Sequence, residues 1–295
     1  MVTRFAPSPT GRLHLGHAWS AWQAFRFARD CGGRFLLRIE DIDPGRCRDE
    51  FVDGIVEDLV WLGLDWDGPV RRQSEHLADY AAALDRLKAM GLAYPCFCTR
   101  KAIEAEIAAS GNAPHGPDGP IYPGTCRHLT AAERDARMAA EPHAWRLDMA
   151  AAVARAGPLT WHDNRAGTIA ATPELFGDVV LARKDAPTSY HLAVVHDDAL
   201  QGVTDIVRGE DLFAATHVHR LLQALLDLPT PRYHHHALVL DAEGKRLAKR
   251  DRGATIADLR VTGADPRGII AGLEARVADP ILQMTAGEPP DREGA

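Results

Sequence analysis

Cysteine is scarce in this sequence. Five cysteines among 295 residues form an odd, sparse set, which does not suit a disulfide-stabilised extracellular scaffold. Long apolar runs are also lacking. None approaches the roughly 20 residues that a membrane-spanning helix needs, and residues 1–9 have no signal-peptide core. The sequence therefore predicts a cytoplasmic protein with no membrane partner.

An excess of basic residues is missing as well. The 34 Lys and Arg residues stand against 41 Asp and Glu, so the net charge is −7 and any contact with nucleic acid must come from a local patch. Two common nucleotide-binding signatures, G-x-x-x-x-G-K-[ST] and G-x-G-x-x-G after a strand, are absent too. These absences argue against a P-loop NTPase and a dinucleotide-binding domain.

Alternating helix and strand patterns occupy most of the chain. Hydrophobic spacing predicts helices over 18–29, 49–62, 74–90 and 212–226, and strands over 2–6, 34–40, 179–182, 190–195, 203–207 and 237–240. Such alternation is typical of a parallel sheet with crossover helices. The pattern fails between 95 and 127, where a Gly- and Pro-rich stretch indicates an insertion. Asp197 and Asp198 are predicted to lie in a solvated turn rather than to bind magnesium.

A short histidine motif, His14-Leu15-Gly16-His17, lies between the first strand and the first helix. Backbone N–H groups and the helix dipole make this position suitable for an anion. Gly16 allows close approach of a ligand, and the two histidines can donate hydrogen bonds to phosphate oxygens. On its own, the motif could equally cap the helix. A basic segment, 245–250, lies far downstream.

The two segments together resemble the signatures of class I aminoacyl-tRNA synthetases, H-I-G-H and K-M-S-K-S. The second match is looser: Lys249 keeps the second lysine, while arginine replaces the first and both serines are lost. The resemblance implies an ATP site, with ATP as its magnesium complex, contacted by His14, Gly16, His17 and Lys249. His14, His17 and Lys249 are the expected catalytic residues, because they stabilise charge as pyrophosphate leaves.

Four further segments, 4–11, 37–43, 190–193 and 208–212, occur in the order found in glutamyl-tRNA synthetases and resemble them. The residue types suit glutamate. Arginine forks bind carboxylates, a glutamate can hold the ammonium, and a tyrosine hydroxyl can fix orientation. The resemblance implies a glutamate pocket formed by Arg4, Phe5, Ala6, Pro7, Ser8, Glu40, Tyr190 and Arg208. Val194 stands where the family usually has asparagine, so this pocket is expected to bind glutamate differently.

Only about 45 residues follow the basic segment, too few for the helical anticodon-binding region of discriminating glutamyl-tRNA synthetases. With Val194 and a cysteine cluster, this feature resembles glutamyl-Q tRNA(Asp) synthetases. That resemblance implies a monomer that activates glutamate and transfers it to queuosine in the anticodon loop of tRNA(Asp). Two alternatives stay open: a truncated synthetase that charges a tRNA 3′ end or a small amine, and a non-catalytic paralogue that binds tRNA or ATP.

Cys96, Cys98 and Cys126 lie in the insertion, and three cysteines with this spacing predict one structural zinc ion. His115, Tyr122 and His128 are candidates for the fourth ligand. Chemistry alone favours a histidine, whereas the family resemblance implies Tyr122. The alternative is three free buried thiols. A run of histidines, 234–236, is not expected to bind metal, because consecutive strand residues face alternate sides.

The resemblance implies a Rossmann-like α/β catalytic domain with a zinc-bearing insertion and a short helical C-terminal part. The predicted boundaries place the first half of the catalytic domain at 1–94, the insertion at 95–177 and the second half at 178–228. The basic loop and helical part follow at 229–276, and a disordered tail is predicted at 277–295.

Overall fold

The structure is a computed structural model, and it describes residues 1–109, 115–117, 119–240 and 254–277. The basic segment with Lys249 and the tail from 278 onward lie outside these residues. The role of Lys249 and the predicted disorder of the tail therefore stay predictions. Within the described ranges, none of the helices combines the length and the apolarity needed to cross a membrane.

Strands and helices alternate along most of the described chain. The strands are β1 (Val2–Phe5), β2 (Arg34–Ile39), β3 (Arg71–Arg72), β4 (Ala93–Cys96), β5 (His115–Gly116), β6 (Gly119–Pro120), β7 (Ala144–Leu147), β8 (Thr160–Asp163), β9 (Gly167–Ala170), β10 (Val180–Ala182), β11 (Asp205–Gly209) and β12 (Arg232–His236). The helices are α1 (Leu15–Asp30), α2 (Asp49–Trp61), α3 (Leu77–Ala89), α4 (Arg100–Ala109), α5 (Ala131–Ala140), α6 (Met149–Ala156), α7 (Tyr190–Leu200), α8 (Ala215–Leu225), α9 (Ile256–Val261) and α10 (Pro266–Arg276).

Two parallel arrangements form the centre of the molecule. β1, β2 and β3 are parallel neighbours, and β11, β12 and β8 form a second parallel set with β9 antiparallel at its edge. The two sets meet where Thr204 N donates to Val2 O at 3.0 Å. α1 presents a row of small buried residues to the strands, which lets its backbone approach them closely. The predicted parallel α/β architecture is confirmed.

A small antiparallel sheet, β4-β7-β10, has its central strand within the predicted insertion, while β4 spans the start of that insertion and β10 lies just after its end. A separate core of five buried residues lies beside it: Tyr94, Cys96, Phe97, Tyr122 and Cys126. Such a small core supplies little apolar burial of its own.

Two strand predictions are wrong. Residues 190–195 begin helix α7, whose N-cap Ser189 accepts a hydrogen bond from Leu192 N. A short apolar run does not distinguish a buried strand from a buried helix. No strand forms at 237–240. The strand in this region is β12, five residues earlier, because its polar residues pair with β11 and β8.

The prediction of a solvated turn at Asp197 and Asp198 is also wrong. Both residues lie on α7, and both side chains are buried. Buried carboxylates require ionic or hydrogen-bonding partners, and those partners turn out to organise the candidate site.

Candidate active site

The histidine motif forms the start of α1. His14 is the N-cap, its Nδ1 accepts from Gly16 N at 3.1 Å, and His17 Nδ1 accepts from His14 N at 3.2 Å. A neutral ring that accepts through Nδ1 carries its proton on Nε2. Both residues therefore cap the helix and also present an N–H donor beside its positive end, which suits an anion.

One cavity of about 410 Å³ contains every predicted glutamate- and ATP-binding residue that lies within the described ranges. From the predicted sets it is lined by Arg4, Phe5, Ala6, Pro7, Ser8, His14, Gly16, His17, Glu40, Tyr190 and Arg208. Val194, buried on α7, forms part of its apolar wall. Residues from β1, α1, β2, α7 and β11 converge here because parallel strands end at a common edge of the sheet.

Arg4 is held in the cavity by a carboxylate from α7. Its Nε donates to Asp198 Oδ1 at 3.0 Å, its Nη2 reaches Asp198 Oδ2 at 3.5 Å, and its Nη1 reaches Val207 O at 3.5 Å. An arginine has five N–H donors. Among the described residues, these contacts leave one donor on each terminal nitrogen for a ligand.

Glu40 supplies the acidic group of the cavity. Its carboxylate accepts from Arg38 Nη2 at 3.2 Å, and its backbone N donates to Pro7 O at 3.0 Å. Burial raises the pKa of Glu40, although Arg38 and Arg4 act in the opposite direction. Burial disfavours the ionised form of this carboxylate. A bound ammonium group would stabilise that form, so the site suits a cation.

Arg208 is fully engaged by protein groups. Its Nε donates to His235 Nε2 at 3.1 Å, and its Nη2 donates to Leu212 O and Thr216 Oγ1. Its Nη1 contacts His219 Nδ1 at 3.3 Å and Tyr190 Oη at 3.4 Å. The Tyr190 contact is the longest of the five and faces the cavity, so an incoming carboxylate reaches Arg208 most readily at this point.

A second cavity of about 970 Å³ adjoins the first. Ser8, Glu40 and Tyr190 line both. The outer cavity is lined by four arginines, Arg46, Arg100, Arg146 and Arg183, and by four carboxylates, Glu40, Asp43, Asp178 and Asp185. Asp43 forms ion pairs with Arg46 and Arg183. Six of its lining residues come from the insertion: Arg100, Ile103, Pro120, Tyr122, Arg146 and Phe176. The inner cavity has no lining residue from the described part of the insertion.

The three cysteines of the insertion converge. The Sγ atoms of Cys96, Cys98 and Cys126 lie within 4.8 Å of one another, and the Tyr122 hydroxyl lies 3.4 Å from Cys96 Sγ and 3.5 Å from Cys98 Sγ. A tetrahedral zinc site places two sulfurs about 3.8 Å apart and a sulfur and an oxygen about 3.6 Å apart. These four residues therefore fit the ion. Within the described residues, no histidine joins this cluster.

Comparison with protein families gives a match over residues 1–280 to the catalytic domain of class I tRNA synthetases (E and Q). The chain belongs to the class I tRNA synthetase family. A curated relative from Rhodobacter capsulatus, named glutamyl-Q tRNA(Asp) synthetase, is 50% identical over 91% of this chain and 98% of its own length. One of the same name from Nitratidesulfovibrio vulgaris is 44% identical over 99% of this chain and 90% of its own length. The resemblance inferred from the sequence is confirmed.

Solved structures agree on the fold. A glutamate tRNA ligase from Elizabethkingia meningosepticum, in complex with its amino acid, superimposes with a TM-score of 0.77 at 29% identity. The match covers 92% of this chain and 60% of that ligase, so the chain spans about three fifths of its length. Methionyl-tRNA synthetase from Mycobacterium tuberculosis, at 11% identity and a TM-score of 0.55, shares the fold alone. The predicted class I catalytic fold is confirmed, and the protein is an enzyme of the aminoacyl-tRNA synthetase type.

In this synthetase, neutral histidines surround Arg208. His235 Nδ1 contacts Asp163 Oδ2 at 2.8 Å while its Nε2 accepts from Arg208, which fixes the tautomer. His219 accepts from Arg208 through Nδ1, and its Nε2 lies 3.2 Å from His191 Nδ1. Burial, and then the charge of Arg208, lowers the pKa of His191 to about 4 and that of His219 well below its ordinary value. Burial also lowers the pKa of His235 to about 4.

These histidines predict a loss of stability in mild acid. In the unfolded chain these histidines gain protons near pH 6.5, whereas in the folded protein they stay neutral until about pH 4. Their contribution to the free energy of unfolding is therefore fully present above pH 6.5 and decreases as the pH falls below that value. From pH 7 to 5, His191 and His235 should each lower the free energy of unfolding by about 2 kcal/mol, and His219 acts in the same direction. Asp58, whose pKa burial raises to about 6, offsets about 1 kcal/mol. We expect the melting temperature to fall by roughly 5 °C.

Thermal unfolding of the wild type and of two variants across this pH range checks the prediction. His219→Gln keeps an acceptor for Arg208 but cannot gain a proton, so its melting temperature should fall less. His162→Gln removes an exposed histidine and should behave like the wild type. A melting temperature that is constant or rises between pH 7 and 5 contradicts the assignment of neutral histidines.

Sequence reasoning missed the groups that support the cavity. Arg38, Asp198, Thr216 and His219 were not predicted, although each contacts a predicted residue. One available signal was the alternation within β2, where Arg38 and Glu40 point to the same side. The partners of these residues lie far away in the sequence, and no local pattern connects them.

Proposed function

We propose that this synthetase activates L-glutamate with ATP and transfers the glutamyl group to queuosine in the anticodon loop of tRNA(Asp). The observation that carries the proposal is the single cavity in which two arginines and a carboxylate lie beside the His14 and His17 donors. The names of the curated relatives support the queuosine acceptor.

In the proposed first step, Arg4 and Arg208 bind the two carboxylates of glutamate and Glu40 binds its ammonium. Tyr190 fixes the orientation of the substrate. An oxygen of the α-carboxylate then attacks the α-phosphorus of the magnesium complex of ATP, and pyrophosphate leaves. His14 and His17 donate hydrogen bonds to the phosphate oxygens as charge develops, and Gly16 permits their close approach. Lys249 is proposed to neutralise the departing pyrophosphate.

Val194 and the backbone of Phe5, Ala6, Pro7 and Ser8 complete the proposed pocket. A valine at this position offers apolar contact to the methylene groups of glutamate and no hydrogen bond to its polar ends. Specificity for glutamate therefore depends on the charged groups, since a site built from buried charges rejects ligands that leave those charges unpaired.

In the proposed second step, a hydroxyl of queuosine attacks the acyl carbon of glutamyl-adenylate, and AMP leaves. The acceptor base is proposed to enter through the outer cavity, which reaches the inner one at Ser8, Glu40 and Tyr190. Arg100 and Arg146 line this cavity and are proposed to contact the phosphate backbone, as a local contact within a chain of net charge −7. The base must leave its stack to enter, as loop recognition in RNA normally requires.

We also propose one structural zinc ion held by Cys96, Cys98, Cys126 and Tyr122. The ion would crosslink the start of the insertion, at Cys96 and Cys98, to the segment that contains Tyr122 and Cys126, and it takes no part in either chemical step. Burial raises the pKa of Cys98 to about 11, so the Cys98 thiolate that zinc requires would form together with the cation.

Labelling of total tRNA with radioactive glutamate tests the proposed acceptor. We expect label in tRNA(Asp) from cells that make queuosine, released with the anticodon-loop fragment after nuclease digestion. Transfer RNA from cells unable to make queuosine is the matched control and should accept at least a hundredfold less glutamate. Equal labelling of both preparations, or label at the 3′ end, would favour the truncated-synthetase alternative. Absence of glutamate-dependent ATP–pyrophosphate exchange would favour the non-catalytic one.

A further inference from the structure

One carboxylate on α7 connects the groups proposed to bind opposite ends of glutamate. Asp198 Oδ1 accepts from Arg4 Nε at 3.0 Å and from Arg38 Nη1 at 2.8 Å. Arg38 in turn donates through Nη2 to Glu40 Oε1 at 3.2 Å. The four side chains form a continuous buried chain of alternating charge, Arg4–Asp198–Arg38–Glu40.

We propose that Asp198 is a positioning residue for amino-acid binding, acting through Arg4 and Arg38. The proposal rests on the function proposed above and assigns Asp198 no contact with substrate. Asp198 does not line either cavity that contains the candidate site, whereas Arg4 and Glu40 line the inner one. Arg4 lines the inner cavity itself, and Arg38 reaches it through Glu40, so the charge of Asp198 influences both sides of the pocket.

The charge of Asp198 matters because its surroundings are dry. Arg4, Arg38 and Asp198 are all buried, and buried guanidinium groups repel one another unless an anion lies between them. With Asp198 neutralised, Arg4 and Arg38 would both turn toward Glu40, the remaining carboxylate of the four-residue network. Glu40 would then lose its capacity for the substrate's ammonium, and Arg4 its orientation toward a carboxylate.

The preceding residue provides a matched control. Asp197 is equally buried on α7, but it accepts from Arg71 Nε at 2.8 Å, Gln73 Nε2 at 2.9 Å and Tyr80 Oη at 2.8 Å. These partners anchor α7 to the start of α3 and do not line the inner cavity. Asp197 Oδ2 lies 3.9 Å from Arg38 Nε, which is beyond hydrogen-bonding distance. Asp197 is therefore as buried as Asp198, but its hydrogen-bond partners lie outside the inner cavity.

ATP–pyrophosphate exchange with the full-length protein compares the two substitutions. For Asp198→Asn we expect the KM for glutamate to rise at least thirtyfold, with the KM for ATP within twofold and kcat within fivefold of the wild type. For Asp197→Asn we expect a similar fall in melting temperature and a glutamate KM within threefold. A purely structural role for Asp198 would change the KM values of glutamate and ATP together.

A second substitution keeps the proposal testable if Asp198→Asn does not fold. Arg38→Lys keeps the positive charge beside Asp198 but lacks the fork that reaches Glu40, so the KM for glutamate should rise about tenfold with the KM for ATP unchanged. A glutamate KM within twofold of the wild type, in either Asp198→Asn or Arg38→Lys, overturns the proposal. A wild-type protein without glutamate-dependent exchange would instead overturn the proposed function.

Discussion

Replacing Arg208 by lysine is expected to lower kcat/KM for glutamate about a thousandfold in ATP–pyrophosphate exchange, or about 4 kcal/mol of binding. Lysine keeps the charge, yet an ammonium has three donors where Arg208 uses five. Arg208 donates to His235, Thr216, Leu212, His219 and Tyr190 at once. The shorter side chain would leave buried acceptors unpaired and withdraw the positive charge from the cavity.

A milder substitution in the same network serves as the control for Arg208→Lys. Thr216→Val removes one acceptor, which lies 2.7 Å from Arg208 Nη2, and keeps the guanidinium and its other partners. A hydrogen bond from a charged donor contributes about 2 kcal/mol, so exchange should fall about thirtyfold. Comparable losses in the two variants, or wild-type exchange in Arg208→Lys, would remove Arg208 from the proposed carboxylate site.

The composition of the inner cavity could be predicted from sequence because its residues lie in contiguous motifs at the ends of predicted elements. The stretch from Arg4 to Ser8 spans the end of the first strand, Glu40 ends the second predicted strand, and His14 and His17 lie at the start of the first helix. Parallel strands end at one edge of a sheet, so these motifs had to converge once the α/β order was recognised. The resemblance to a known family then indicated which substrate the residues suit.

The network behind the cavity could not be predicted, because its contacts join distant residues. Arg38 and Asp198 are 160 positions apart, and Arg4 and Asp198 are 194 apart. Two adjacent aspartates also favour a solvated turn when their neutralising partners are unknown. The wrong strand assignment at 190–195 had a similar origin, since burial of most of α7 between Leu192 and Asp198 removes the polar face that marks a surface helix.

The insertion also resisted prediction beyond its cysteines. The antiparallel sheet is formed by strands from 93 to 182, and the short helices of the insertion pack over a core of five residues. Sequence reasoning left Tyr122, His115 and His128 open as fourth ligands. The position of the Tyr122 hydroxyl beside two of the sulfurs supports the tyrosine.

Removing one metal ligand is expected to separate the two chemical steps. For Cys98→Ser we expect zinc to fall from about one per chain to a small fraction and transfer of glutamate to tRNA to fall at least a hundredfold. ATP–pyrophosphate exchange should stay within about threefold of the wild type. This separation is expected because the insertion lines only one of the two cavities. Tyr122 and Arg146 line the outer cavity, and among the described residues the insertion contributes nothing to the inner cavity.

Tyr122 would couple the proposed ion to the outer cavity. Its hydroxyl accepts from Cys126 N at 3.0 Å, and the Arg146 guanidinium lies 3.9 Å from the centre of its ring. Three of the five residues in the local core are the proposed ligands Cys96, Cys126 and Tyr122, so without the proposed ion little apolar burial would remain to hold Arg146 in the wall.

Metal analysis, exchange and transfer assays on the same preparations decide the matter, with Cys31→Ser as the control. Cys31 is exposed at the end of α1, so its replacement should leave all three measurements unchanged. Equal losses of exchange and transfer in Cys98→Ser would mean that the ion supports the whole fold. Full transfer by a zinc-free protein would mean that it supports neither cavity. Loss of transfer alone would assign the insertion to the acceptor, because only the outer cavity depends on it.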